Sequence, residues 1–141
     1  MPDLPADLRA RIARLSERGD GEAEAGRYAG ALTLYREALG LVPEPRADHE
    51  VTLWLYAAIA DALFLGGDHA AAAEVLDRAM ALPDAAGNPF LHLRRGQAAY
   101  ERGDEPRAAD ELARAYALAG AGFFDGQDPK YLRFVGRHLG L

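Results

Sequence analysis

Hydrophobic residues recur along most of this chain at intervals of three and four positions, and glycine or proline marks the breaks between runs. This period places apolar side chains on one face of an α-helix, whereas a half-buried strand alternates every second residue. The pattern predicts seven helices, at about residues 5–25, 31–41, 49–65, 70–82, 89–102, 106–119 and 128–139. Gly19 and Gly21 weaken the first helix, so a break there is the alternative.

Side chains that can accept a hydrogen bond stand just before several of these helices and predict N-caps at Asp7, Asp48, Asn88 and Asp128. The third helix differs from the others because its apolar residues occupy nearly its whole circumference. Such a helix is typically buried on two sides.

The same arrangement of small and apolar residues occurs three times along the chain. Alanine follows the first residue of each copy after five positions, tyrosine or leucine after nine, and alanine again after twelve. A small residue also stands seven positions before each copy begins. The opening residues are Gly26, Gly67 and Gly103, and the small residues before them are Gly19, Ala60 and Gly96. Small side chains at matching positions predict close helix crossings in each copy.

A repeat of about 34 residues, built from two helices with small residues at the crossings and proline after the second helix, is the signature of tetratricopeptide arrays. The sequence resembles this family over most of its length. The residues that carry the resemblance are Gly19, Gly26, Tyr28, Ala31, Tyr35, Ala38 and Pro43 in the first copy, Tyr56, Ala60, Gly67, Ala72, Leu76, Ala79 and Pro83 in the second, and Gly96, Gly103, Ala108, Leu112 and Ala115 in the third.

The resemblance implies an all-α fold, namely a right-handed α-solenoid of three helix-turn-helix repeats followed by a C-terminal capping helix. One domain covering 1–141 is expected, with repeats at about 8–45, 48–84 and 89–120 and the capping helix at 128–139.

The resemblance also implies that the first helices of the copies line a concave groove for an extended peptide or a partner's helix. The groove residues expected from it are Trp54, Asp61, Phe64, Phe90, Arg94, Gln97, Tyr100 and Glu101, with Asp20 and Glu24 from the first copy. In this interpretation, Arg94→Ala or Tyr100→Ala weakens binding and leaves stability nearly unchanged. Some family members grip the C-terminal carboxylate of chaperone tails with paired lysine and asparagine residues, and only Arg94 fits that pattern here.

The charge balance narrows the choice of partners. The formal net charge is −6, and residues 1–89 hold 15 acidic against 8 basic side chains. An acidic surface of this kind repels a phosphate backbone, so nucleic acid is not expected as a partner. No stretch approaches the roughly 18 apolar residues of a membrane span, and residues 1–7 lack the basic and apolar regions of a signal peptide. These features predict a soluble, cytoplasmic protein with no membrane partner.

Residues that could carry out chemistry are sparse. The absence of cysteine excludes disulfides, thiolate metal sites and cysteine nucleophiles. The histidines, His49, His69, His92 and His138, lack the spacing of a metal site and are expected at the surface. No glycine-rich phosphate-binding motif occurs. We therefore expect no enzymatic activity, no cofactor and no metal.

Two alternatives remain open at this level. Trp54 either anchors a ligand, as tryptophan often does at binding hot spots, or packs against the preceding helix. The chain as a whole is expected to be an adaptor that binds a protein or peptide partner in its groove. The alternative is a self-association module, in which the third helix or an open end of the array pairs with another copy to form a homodimer.

Overall fold

The computed structural model describes residues 4–141, and within this range the regular elements are α-helices and three short 3₁₀ turns. The α-helices are α1 (Ala6–Glu24), α2 (Tyr28–Gly40), α3 (Glu50–Leu65), α4 (His69–Ala79), α5 (Pro89–Glu101), α6 (Glu105–Ala119) and α7 (Pro129–Leu139). The all-α prediction and the seven predicted helices are confirmed for the described residues. The expected absence of a signal peptide rests partly on residues 1–3, which lie outside the described range.

The first helix is continuous, and two of the predicted caps are wrong. α1 runs through Gly19 and Gly21 without a break. Asp7 does not cap it, because the helix already begins at Ala6. Asp48 does not cap α3 either, since it belongs to a 3₁₀ turn and its side chain makes no capping hydrogen bond to that helix.

The caps predicted for the later helices are correct. The side-chain oxygen of Asn88 accepts hydrogen bonds from the backbone N–H groups of Phe90 and Leu91, at 2.9 and 3.2 Å. Asp128 accepts one from the backbone of Lys130 at 3.0 Å. These bonds satisfy donors that the first turn of a helix leaves free, and they fix where α5 and α7 begin.

The glycines that open the three copies are the turns between paired helices. Gly26, Gly67 and Gly103 have φ values of 76°, 91° and 81°. Residues with a side chain rarely adopt this left-handed conformation, which is common at helix C-termini. Glycine therefore recurs at this position of the repeat because the backbone of the turn requires it.

The small-residue column is explained by helix crossings within each pair. A Cβ atom added at Gly19 would lie 2.5 Å from Cε1 of Tyr35, and one at Gly96 would lie 2.6 Å from Cγ of Leu112. Both distances are too short for real contacts, so the first helix of each of these pairs needs glycine to approach the second. The residues at the alanine positions of the second helices are buried, as are Tyr35, Leu76 and Leu112.

Successive helices pack against one another in chain order, and α3 also contacts α5. The pairs α1–α2, α3–α4 and α5–α6 form a right-handed α-solenoid, and α7 caps it by packing against α6. Because α2, α4 and α5 all contact α3, its apolar circumference is buried on several sides. We propose that the whole array is one domain with the repeat boundaries predicted from the sequence.

Candidate functional site

An open groove of about 920 Å³ runs along one face of α1 and α3. We call it the α1–α3 groove. It is lined mainly by side chains of these two helices. Single residues come from other parts of the chain: Leu4 before α1, His49 before α3, Tyr35 from α2 and Phe90 from α5. Small residues such as Ala13, Ser16 and Ala58 form part of its lining and leave room between the helices. Concave, largely apolar sites of this size are the usual places where proteins bind ligands.

Trp54 lies in this groove with 61% of its surface exposed to solvent. Its neighbour Leu55 also lines the groove but is buried in the core. Consecutive helical residues point about 100° apart, so one can enter the core while the next faces the groove. Of the two interpretations of Trp54, the exposure favours the ligand anchor.

The charged side chains that line the groove are mostly acidic. They are Glu17, Asp20, Glu50 and Asp61, beside one arginine, Arg9, and His49. Asp20 accepts a hydrogen bond of 2.6 Å from the hydroxyl of Tyr35. Burial raises the pKa of that hydroxyl above its usual value, and the hydrogen bond to Asp20 and its negative charge raise it further. The phenol therefore stays protonated and donates a hydrogen bond to the Asp20 carboxylate.

Arg94 does not itself line the groove but binds Asp61, which does, and it is only 5% exposed. Its guanidinium donates to Asp61, with Nε 2.8 Å from Oδ1, and its Nη1 donates to Oε1 of Gln97 at 2.7 Å and of Gln127 at 3.1 Å. The same group lies over the ring of Phe64, with Cζ 4.9 Å from the ring centroid, and Cζ is 5.4 Å from the centroid of Phe90. Four of the five N–H donors of the guanidinium are thus bonded within the protein, which leaves little capacity for a partner.

Gln97 is completely buried, and its Nε2 donates to Gln127 at 2.9 Å. Arg94 and Gln97 were expected to present free polar groups to a partner, but both are buried and hydrogen-bonded within the protein. The reason is Gln127, which lies in the linker before α7 and closes over both side chains. Sequence spacing within α5 gives no sign of a contact with a residue thirty positions away.

Tyr100 and Glu101 are covered by α7. The Tyr131 hydroxyl donates to Oε1 of Glu101 at 2.6 Å, and Nζ of Lys130 lies 2.5 Å from the same oxygen. The Tyr100 ring meets Tyr131 and Phe134 edge to face, with centroids 5.4 and 5.1 Å apart. These two predicted groove residues hold the cap in place.

The ion pair between Glu101 and Lys130 shifts the pKa values of both groups. Burial alone would raise the pKa of Glu101, but the hydrogen bonds from Lys130 and Tyr131 bring it below its usual range. The hydrogen bond to Glu101 raises the pKa of Lys130. Both groups are consequently charged in the folded protein near neutral pH.

His92 is buried, so its expected surface position is wrong. Nδ1 lies 2.6 Å from Oε2 of Glu111 and Nε2 lies 2.7 Å from the carbonyl oxygen of Ala86. The other oxygen of Glu111 accepts a hydrogen bond of 3.0 Å from Arg95. This cluster ties the linker before α5 to α5 and α6. The cluster therefore has a structural role, and it lies outside the α1–α3 groove.

The predicted groove residues divide among three places, except for Glu24, which is exposed at the end of α1 and does not line the groove. Asp20, Trp54, Asp61 and Phe90 line the α1–α3 groove. Phe64, Arg94 and Gln97 form the buried network around the guanidinium, and Tyr100 and Glu101 contact the cap.

The sequence analysis missed the α1 wall apart from Asp20, and it also missed the linker residues at the groove. A signal for the α1 wall was present. Ala13, Ser16, Glu17 and Asp20 recur at the three- and four-residue spacing that puts side chains on one helix face.

The described side chains contain no group of three or more histidine, cysteine or acidic residues that could hold a metal ion. Among the helices that the structure describes, none has the length and apolar character needed to cross a membrane.

Comparison with known proteins identifies related sequences and folds. The sequence profile of the tetratricopeptide repeat matches residues 10–85. No curated protein matches the chain.

Three solved structures illustrate the similarity in fold. The first domain of Spaghetti (RPAP3), bound to the HSP90 peptide SRMEEVD, has 20% identity and a TM-score of 0.72, covering 94% of this chain and 98% of that chain. The Yersinia enterocolitica type III secretion chaperone SycD, in complex with a peptide of the translocator YopD, has 12% identity and a TM-score of 0.71, covering 96% and 95%. The second domain of human RPAP3, in complex with the HSP70 peptide SGPTIEEVD, has 16% identity and a TM-score of 0.69, covering 92% and 96%.

Proposed function

The chain belongs to the tetratricopeptide repeat family, and on this premise we propose that it is a non-enzymatic protein-interaction scaffold. In this proposal a peptide segment or a partner's helix binds in the α1–α3 groove. The observation that carries the proposal is the ring of Trp54, which is 61% exposed inside an open groove. A large aromatic side chain held open in a concave site typically contributes much of the binding energy of an interface.

The solved relatives support peptide binding as the mode of action. Spaghetti binds a peptide of HSP90, human RPAP3 a peptide of HSP70, and SycD a peptide of YopD. Peptide binding by three proteins of this fold makes a peptide the first kind of ligand to test here.

The proposal assigns different roles to the residues predicted from the sequence. Trp54 and Phe90 would contact the partner, since both line the groove. Arg94 would act indirectly by holding Asp61 at the groove wall and by packing beside the Phe90 ring. Tyr100 and Glu101 would contribute through the position of α7. In this proposal Arg94, Gln97 and Tyr100 do not contact the partner as the sequence analysis expected, but hold the surrounding structure in place.

Self-association remains the second hypothesis, but less apolar surface of α3 is available for it than the sequence suggested. α3 packs against α2, α4 and α5 of the same chain, which accounts for most of its apolar circumference. Trp54 and Leu65 are the large apolar residues of α3 that stay exposed. Sedimentation across a concentration series separates the hypotheses, because a chain that stays monomeric at high concentration has no homodimer.

The test of groove binding uses a random-peptide display library as the probe. The wild-type chain is used for selection, and the affinities of the recovered peptides are measured by fluorescence anisotropy against Trp54→Ala and Leu65→Ala. The second variant is a matched control, since it also removes an exposed apolar side chain of α3 but lies outside the groove. We expect Trp54→Ala to weaken binding at least about tenfold and Leu65→Ala to leave it unchanged. Recovered peptides that bind Trp54→Ala as tightly as wild type would refute the proposal.

A further inference from the structure

We propose that the occupant of the α1–α3 groove is a basic segment, with a lysine or arginine at the Asp20 end of the groove and a bulky apolar side chain on Trp54. This inference rests on the proposed peptide-binding function and adds the chemistry of the ligand.

The carboxylates at the Asp20 end provide the charge complementarity. Glu17 and Asp20 are exposed on α1 and line the groove, and no ion pair joins either of them to a described residue. Oδ1 of Asp20 already accepts a hydrogen bond from the Tyr35 hydroxyl, which leaves the other carboxylate oxygen free for a donor. An ammonium or guanidinium placed between exposed carboxylates gains both Coulomb attraction and charge-assisted hydrogen bonds.

Further carboxylates face the same point. Asp61 lines the groove together with Asp20, and Glu24 follows Asp20 by about one turn of α1. Their negative charges raise the pKa of the Tyr35 hydroxyl, in addition to the larger effects of burial and of the hydrogen bond to Asp20. Asp61 is paired with Arg94 through Oδ1 alone and stays partly exposed. The local field at this end is therefore negative even after the buried arginine is counted.

The groove also has a direction. Asp61 follows Trp54 on α3 by about 10 Å of helix, so the apolar and acidic contact points lie within reach of one short segment. Arg9, the arginine among the lining residues, lies near the opposite end of α1. A segment bound with its basic residue beside Asp20 and its apolar residue on Trp54 avoids that positive charge.

The same charges disfavour an acidic tail. A carboxylate-rich peptide at the Asp20 end would meet Glu17 and Asp20 at close range, with like-charge repulsion in place of pairing. The cation that could balance it, Arg94, is buried and already bound to Asp61, Gln97 and Gln127.

Two peptide libraries of the same length and apolar content test the proposal. Each has a fixed central tryptophan or leucine, and the flanking positions hold only lysine and arginine in one library and only aspartate and glutamate in the other. The peptide SRMEEVD serves as a defined acidic probe. Binding is measured by fluorescence anisotropy to the wild-type chain, to Trp54→Ala, and to the double variant Glu17→Gln with Asp20→Asn. Asparagine at position 20 can still accept the Tyr35 hydrogen bond, so the fold is preserved.

The matched control is Glu37→Gln with Glu74→Gln, which removes two exposed carboxylates of α2 and α4 that do not line the groove. It changes the net charge equally, so it separates the local field from the overall acidity of the chain. We expect the basic library to bind at least about tenfold more tightly than the acidic one, and the groove double variant to reduce that preference about tenfold while the control retains it. Raising the ionic strength should weaken binding of the basic peptides several-fold.

The failures are distinguishable. If neither library binds in a way that depends on Trp54, the proposed groove function is wrong. If acidic peptides or SRMEEVD bind as well as basic peptides, and their binding depends on Trp54, the groove function stands and the basic ligand is refuted. The same refutation follows if both double variants change the preference equally.

Discussion

Two regions of the molecule, the open half formed by α1 and α3 and the closed half formed by α5 and α7, differ in how their polar groups are used. In the half formed by α1 and α3, Glu17 is exposed without an ion-pair partner among the described residues, and Trp54 faces solvent. In the half formed by α5 and α7, Arg94 is buried with partners on all its nitrogens, and Glu101 is bound to the cap. The first half has unused binding capacity, whereas the second has little.

This contrast shows why position on a repeat does not by itself define a binding residue. Arg94 and Trp54 both belong to first helices of a repeat, and the family resemblance places both in the groove. The guanidinium of Arg94 is satisfied by Asp61, Gln97 and Gln127. Releasing it to bind a partner would leave buried acceptors unpaired, which is costly. A residue whose hydrogen bonds are already made contributes to stability first, and to recognition only through the neighbours that it positions.

The largest expected effect is the loss of stability on Arg94→Ala. The substitution removes the ion pair with Asp61 and the contacts with Phe64 and Phe90, and leaves a cavity. Breaking a buried pair costs about 3–5 kcal/mol, and because Asp61 can be rehydrated we expect about 3 kcal/mol here. Urea unfolding followed by circular dichroism measures the change.

Arg114→Ala is the matched control for that substitution. Arg114 makes an ion pair with Asp110 on the exposed face of α6, with a distance of 3.2 Å. An exposed pair of this kind contributes less than about 1 kcal/mol. If both variants lose the same small amount of stability, the distinction between a closed and an open half is wrong. The sequence-based expectation of unchanged stability for Arg94→Ala would then hold.

The fold could be predicted because its determinants are local. A glycine such as Gly67 is needed where the backbone enters the left-handed region, and a glycine such as Gly96 is needed where helices cross closely. The turn glycine recurs in all three copies, and the crossing position holds a small residue in each, namely Gly19, Ala60 and Gly96. The two wrong caps, Asp7 and Asp48, fall where the chain enters a helix from an irregular segment, and there several residues compete for the capping position.

The candidate site could be predicted only in part because it depends on contacts between distant elements. The helical projection correctly placed Trp54, Asp61 and Phe90 along one surface. It could not show that Gln127 covers Arg94 and Gln97, since that contact depends on the path of the linker after α6. Burial of His92 depends likewise on Glu111, which lies on a different helix.

The next effect concerns the helix crossings, which we expect to be tight in both halves. In Gly96→Ala the new methyl group would meet Cγ of Leu112 at 2.6 Å and its backbone nitrogen at 3.0 Å. In Gly19→Ala it would meet the Tyr35 ring at 2.5 Å. Overpacking costs about 1–3 kcal/mol and alanine regains about 1 kcal/mol of helix propensity, so each variant should show a net loss of up to about 2 kcal/mol.

Gly21→Ala supplies the control for these substitutions. Gly21 lies in the same helix as Gly19, and nothing stands within 4 Å of a Cβ atom placed there. This variant should gain up to about 1 kcal/mol, as exposed helical positions do when glycine becomes alanine. If Gly19→Ala and Gly96→Ala lose the same stability, the two helix pairs are packed equally tightly. The halves would then differ only in the contacts between their first helices and their neighbours. A gain at Gly19 would mean that the open half is also loose within its helix pair.

The smallest of these effects is the contribution of Glu101 to the attachment of the cap. Glu101→Gln removes the ion pair with Lys130 and weakens the hydrogen bond from Tyr131. Since Glu101 and Lys130 are partly exposed, we expect a loss of about 1 kcal/mol near neutral pH. Glu74→Gln, which removes an exposed carboxylate with no ion pair to a described residue, should change the unfolding free energy by less than about 0.5 kcal/mol.

The effect of Glu101 should also depend on pH in a defined direction. Its pKa in the folded protein lies below the ordinary value of 4.5, so its carboxylate stabilises the fold above about pH 4.5. That contribution is lost as the pH falls through the folded-state value, because the protonated group no longer pairs with Lys130. The difference in unfolding free energy between wild type and Glu101→Gln should therefore shrink as the pH falls from 7 to about 3. A difference that stays constant over this range would show that the charge of Glu101, and therefore its ion pair with Lys130, does not contribute to the attachment of the cap.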